Sequence, residues 1–142
     1  MKLEAWQRGI DLFALAFGLS DCVSDFKLKS QFRDAAQSVS ANIAEGYGRR
    51  SLPEYIQYLY IAKGSLGETL TRAIGFQKVK IISPTHFESF DQLHYEVENK
   101  LLRLIESFEA KKQANDWHDT LPHARQSSKN PPIQQSVPPP LP

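Results

Sequence analysis

Two groups of residues in this sequence have types and spacings that could do chemistry. One is His86 and His94, with Glu88 and Glu98 close by; the other is Gly46-Tyr47-Gly48-Arg49-Arg50. Two metal ligands on one helix face need a spacing of three or four residues. His86 and His94 are eight apart, and the nearest fit, His94 with Glu98, reads as a surface pair. The other two histidines, His118 and His123, lie in a polar C-terminal stretch. A phosphate-cradling glycine loop follows a strand, whereas Gly46 follows a helical pattern. No Ser, His and Asp grouping stands out along the chain, although a triad is defined in space. The single cysteine, Cys22, reads as a small buried hydrophobe. The expectation is a protein without enzyme activity, cofactor or metal.

The elements around these residues are helical. Apolar residues recur in steps of three and four: Leu3, Trp6, Ile10, Phe13, Phe17; then Phe32, Ala36, Val39, Ile43, Tyr47; then Tyr55, Leu59, Ala62, Leu66, Leu70, Ala73; then Phe90, Leu93, Val97, Leu101, Leu104, Phe108. No period-two run is long enough for a strand. Ser51-Leu52-Pro53-Glu54 reads as a capping box and Ser83-Pro84 as a second helix start. Four stripes with short connections predict an all-α fold, an antiparallel up-down-up-down four-helix bundle over 1–112. Leu12, Leu15, Ala16 and Leu19 broaden the first stripe, and Ile56, Tyr60, Ile61 and Ile74 the third. Scattered exposed apolar residues and a self-association surface both account for that breadth.

The run Asn42-Ile43-Ala44-Glu45-Gly46-Tyr47-Gly48-Arg49-Arg50 passes from a helix into a turn. Gly46 and Gly48 suit a helix C-terminus, where a left-handed residue satisfies the last carbonyls. Arg49 and Arg50 suit the negative end of that helix dipole, and Asn42 and Glu45 could tie the turn to a neighbour. Adjacent exposed arginines also make a phosphate contact. Both readings stay open from the residues alone.

Net charge is only +1, but its distribution is uneven. Between Lys27 and Lys80 nine basic residues face four acidic ones, and the remainder of the chain is net acidic. A chain polarised in this way can present a positive face. The N-terminal segment has no unbroken apolar core and nothing approaches a membrane span, so a cytoplasmic protein with no membrane partner is expected. Seven of the nine prolines lie after residue 120. Residues 113–142 therefore read as a disordered, proline-rich tail, partly polyproline II, with Trp117 available to pack back onto the bundle.

Gln31-Phe32-Arg33, Ser38-Val39, Asn42-Ile43-Ala44-Glu45-Gly46 and Gly48-Arg49 carry a resemblance. So do Glu54-Tyr55 and the run from Leu59 to Thr69. Over roughly residues 3–110 the chain resembles the bacterial four-helix-bundle family of intervening-sequence proteins, named after insertions in large-subunit ribosomal RNA genes. The resemblance implies a left-handed bundle and a homopentameric ring with a central channel. In shape it is similar to accessory proteins of diversity-generating retroelements, which bind a reverse transcriptase and nucleic acid. This chain has Arg33-Asp34 where many members have two arginines, and Ser40 where many have proline. The function expected is that of a non-catalytic, oligomeric nucleic-acid-binding accessory protein acting on structured RNA. Its contacts would be Lys27, Lys29, Arg33, Arg49, Arg50, Lys63 and Arg72. Asn42, Glu45, Gly46 and Gly48 form the structural motif. The alternative is a protein–protein adaptor that holds a partner enzyme such as a reverse transcriptase.

Overall fold

The computed structural model describes residues 3–118. Four helices follow in order: α1 (Glu4–Leu19), α2 (Phe26–Tyr47), α3 (Leu52–Lys78) and α4 (Pro84–His118), with a single 3₁₀ turn, Ser20–Cys22, after α1. Helix α1 packs on α2 and α4, and α3 packs on the same two, so α1 and α3 lie diagonally across the bundle. This is the four-helix arrangement that the stripes predict. Helix α4 continues past Lys112, the expected end of the bundle, to His118. The rest of the expected tail lies outside the described residues, as does the side chain of Trp117.

Side chains set the helix starts. Asp25 accepts the Leu28 amide hydrogen, Ser51 that of Glu54 and Ser83 that of His86. Pro53 and Pro84 occupy first-turn positions, where the missing N–H costs nothing. Helix α3 ends in a Schellman turn: the Ile81 N–H reaches Phe76 O at 2.8 Å and the Lys80 N–H reaches Gln77 O at 2.9 Å. Lys80 occupies the left-handed position of that turn, with φ 65°. Glycine is the usual residue there, because a β-carbon raises the conformational energy by roughly 1–2 kcal/mol.

Phe32, Phe90, Leu12, Ile43, Leu59, Leu66 and Leu101 are fully buried and form the centre of the core. Each such side chain contributes about 1.5–3 kcal/mol by leaving water. The second, third and fourth stripes hold with one exception, Tyr47, which is exposed. The first stripe is inverted. Helix α1 turns Ala5, Gly9, Leu12, Ala16 and Leu19 to the core. Ile10 and Phe17, 41% and 44% exposed, lie on the outer side, with Leu3, Trp6 and Phe13 half-buried. The reason is closeness. A β-carbon on Gly9 would stand 3.4 Å from Ser40 Cβ of α2, so α1 lies close to α2 at that point, with Leu12 and Leu19 buried on the same face.

Polar clamps join the helices. The Arg8 guanidinium donates twice to Glu96 of α4, at 2.8 and 2.9 Å, and also to Asp11. Lys100 donates to Glu4 at 2.8 Å. These hydrogen bonds hold the Glu96 and Glu4 carboxyls below the usual carboxylate range. All four groups face solvent, so the clamps orient α1 on α4 more than they stabilise it. His94 is buried, against its expected surface place beside Glu98. Its Nε2–H donates to the Leu66 carbonyl of α3 at 3.0 Å, so it is a satisfied core residue. Cys22 is exposed rather than buried, because the 3₁₀ turn carries it off the helix face.

Candidate nucleic-acid interface

The helix pairing decides which cations can act together. Helices α2 and α3 are antiparallel: Phe32 meets Phe76 edge-on at 5.2 Å, Gln31 bonds Arg72, and Ser38 Oγ lies 2.8 Å from Ser65 Oγ. That register places the start of α2 beside the end of α3, and Gly46 to Arg50 at the opposite end of the bundle. The seven candidate cations therefore do not form one site. Lys27 and Lys29 stand at one end, Arg49 and Arg50 at the other, and Lys63 near the middle of α3.

Three of the seven are committed to the fold. Arg33 lies 3.8 Å above the Phe17 ring, donates to Ser20 Oγ at 2.7 Å and reaches Asp21 at 3.5 Å. It staples the start of α2 to the end of α1. Arg49 donates to Glu45 and to the Tyr58 hydroxyl, both at 2.7 Å, and lies over the Tyr58 ring. These contacts raise the Arg49 pKa above its usual value, the Tyr58 oxygen having the largest effect. Arg72 pairs with Glu68 and bonds Gln31. Lys27, Lys29, Arg50 and Lys63 have no carboxylate partner among the described residues. The same holds for Lys78 and Lys80, which stand beside Lys27 and Lys29 and lie outside the set expected from sequence. Their signal in the sequence is a run from Thr69 to Phe87 without one acidic residue.

The structural motif works by a different mechanism from the one expected. No glycine has a positive φ. Gly46 lies inside α2, buried, and a β-carbon there would stand 2.8 Å from Tyr55 Cδ1 and from Tyr58 Cβ. It is glycine because α3 crosses against it. Gly48 is the C-cap, with right-handed φ −84°. Asn42 Nδ2 donates to Ser38 O and Ser38 Oγ, both at 2.8 Å, completing the bridge to Ser65. Glu45 is exposed and holds Arg49. At the same crossing the buried Tyr55 hydroxyl has no hydrogen-bond partner among the described residues, and burial pushes its pKa up. Tyr55→Phe should therefore leave stability unchanged or raise it by up to about 1 kcal/mol, read as an equal or higher urea midpoint. A fall of that size would show that the hydroxyl has a partner.

A model of the 23S rRNA-intervening sequence protein matches residues 1–103. The chain belongs to that family. As a family member it shares its fold with a solved protein of unknown function from the S23 ribosomal protein family of Bacteroides thetaiotaomicron VPI-5482. The two are 20% identical with a TM-score of 0.68, over 71% of this chain and 97% of the other. No curated protein matches. In the intervening-sequence protein, no described helix is long and apolar enough to cross a membrane. No group of three or more His, Cys, Asp or Glu among the described residues could hold a metal ion. An open depression of about 270 Å³ lies between the start of α1 and α4, and its Lys100 is already paired with Glu4.

Proposed function

We propose that this intervening-sequence protein is a non-catalytic accessory protein of the cytoplasm that self-associates and binds structured RNA as the oligomer. The RNA reading rests on one observation above all. Lys27, Lys29, Arg50 and Lys63 carry no carboxylate partner among the described residues, so their charge remains for phosphate. A homo-oligomer, a five-membered ring by the family resemblance, multiplies contacts that are individually weak. Arg33, Arg49 and Arg72 support the fold and contribute less.

RNA affinity should fall steeply with salt, since each neutralised phosphate releases bound counterions. Alanine at Lys27, Lys29, Arg50 and Lys63 together should lower the slope of log K against log salt by about 3, at roughly 0.7 for each phosphate no longer neutralised. Fluorescence anisotropy with a labelled hairpin RNA across a salt series measures it. Wild-type binding insensitive to salt, or absent at low salt, would defeat the RNA reading.

The outer row of α1 supports a second reading, an adaptor holding a partner enzyme such as a reverse transcriptase. Co-purification of a protein partner that survives nuclease treatment favours the adaptor.

A further inference from the structure

The two ends of the bundle differ in a way that the seven candidate cations do not capture. Phe26-Lys27-Leu28-Lys29 opens α2, and Lys78-Val79-Lys80 closes α3. The antiparallel register brings the two segments to one end. Phe26 is 79% exposed and Val79 65%. These two apolar side chains stand in water beside lysines. The acids nearest in sequence to the α2 segment are engaged. Asp25 caps α2 by accepting from Leu28 N at 2.9 Å, and Asp21 lies beside Arg33. Asp34 lies further along α2, and Glu88 and Asp91 lie in the second and third turns of α4. The four lysines make no ion pair with any of these carboxylates among the described residues.

We infer that this end, formed by Phe26, Lys27, Lys29, Lys78, Val79 and Lys80, is the docking surface for an unpaired stretch of RNA. The inference rests on the RNA reading above and locates it. Phosphate accounts for the lysines. An exposed ring accounts for the choice of unpaired bases, because a base stacks on an aromatic face only when free of its helix. A lipid surface would use the same lysines, and vesicle binding separates that source of phosphate from RNA.

Lys80 provides the decisive variant. It holds a left-handed conformation that glycine adopts without strain. Lys80→Gly should therefore keep or raise Tm while weakening RNA binding, a combination that a purely structural lysine would not give. Phe26→Ala removes a side chain that is mostly in solvent and should leave Tm within a degree or two.

The test is anisotropy with the full chain, a labelled single-stranded oligouridine and a perfect duplex of equal length. The expected result is tighter binding of the single strand. Phe26→Ala should weaken it about tenfold or more. The double variant Lys78→Ala with Lys80→Gly should lower its salt slope by about 1.4. Wild-type binding that persists unchanged in these variants overturns the location and leaves the RNA reading standing. No wild-type binding to either RNA overturns both. Vesicles of phosphatidylcholine with phosphatidylserine serve as a third arm. Capture by vesicles that the variants abolish, with RNA binding unaltered, assigns the end to lipid and overturns the inference.

Discussion

Gly46→Ala should lower the thermal midpoint by roughly 4–12 °C. The added methyl would stand 2.8 Å from Tyr58 Cβ and from Tyr55 Cδ1, and 3.2 Å from the Tyr55 carbonyl. Tyr58 Cβ is fixed to the α3 backbone, so no terminal side-chain rotation relieves the clash. The helices must separate at the one place where the Gly46–Tyr55 crossing and the Ser38–Ser65 bridge set their distance. Overpacking of this kind costs about 1–3 kcal/mol, occasionally more. For a fold of this size each kcal/mol moves Tm by roughly 4 °C. Circular dichroism melts of the two proteins measure it. The mutation also distinguishes two explanations of the glycine. If Gly46 were a left-handed helix cap, Ala would be strained in φ but would meet no neighbour, and shortening Tyr58 would not help. On the crossing account, Tyr58→Ala leaves the clash with Cβ in place, whereas Tyr58→Gly removes it and should restore part of the stability in the double variant.

The second large effect is on assembly. If the proposed self-association runs through the outer row of α1, Ile10→Glu should convert the oligomer to monomers without unfolding them. Ile10 is already partly in water, so the monomer loses little. Two of its neighbours along the row, Trp6 and Phe13, are half-buried, and Phe17 is 44% exposed beneath Arg33. A charge placed in the middle of that row would be buried without a partner on association, at a cost of several kcal/mol per interface. Native mass spectrometry should give a single monomer peak for the variant, with an unchanged circular dichroism spectrum. An oligomer of wild-type mass in the variant would place the self-contact elsewhere on the bundle.

The course of the bundle was legible because α2, α3 and α4 turn inward the stripes that spacing picks out, Tyr47 apart. Helix α1 was not, although its period was correct. It is apolar on two sides, and period alone does not choose between them. The larger residues, Trp6, Ile10, Phe13 and Phe17, suggest the core side by volume. Packing instead buries the face that carries Ala5, Gly9, Leu12, Ala16 and Leu19, with Gly9 close against Ser40 of α2. The cations illustrate the same limit. Glu45 with Arg49 and Glu68 with Arg72 are four residues apart, so those two pairs could have been read from spacing on a helix. The Arg33 staple could not, since it depends on the path of the turn through Ser20 and Asp21. The lysine end was readable only in halves, because its two segments are some fifty residues apart and meet through the α2–α3 register. His94 escaped a reading from spacing for a related reason. A polar residue at a core position of α4 is buried here because α3 offers it the Leu66 carbonyl, a partner outside its own helix.

The self-contact and the lysine end make compatible demands. The apolar row lies along the outer side of α1, whereas Phe26, Lys27, Lys78 and Lys80 stand at one end of the rod. Subunits joined through α1 would leave those ends free. In a ring they would stand in a circle, each adding its lysines to one positive rim.

If RNA binds to an assembly of bundles, native mass spectrometry of the full chain mixed with a hairpin RNA carrying an unpaired loop should show a peak for several copies of the chain with RNA bound. RNA should leave that assembly as ammonium acetate is raised. A monomer peak with no RNA at the lowest salt would overturn the proposal.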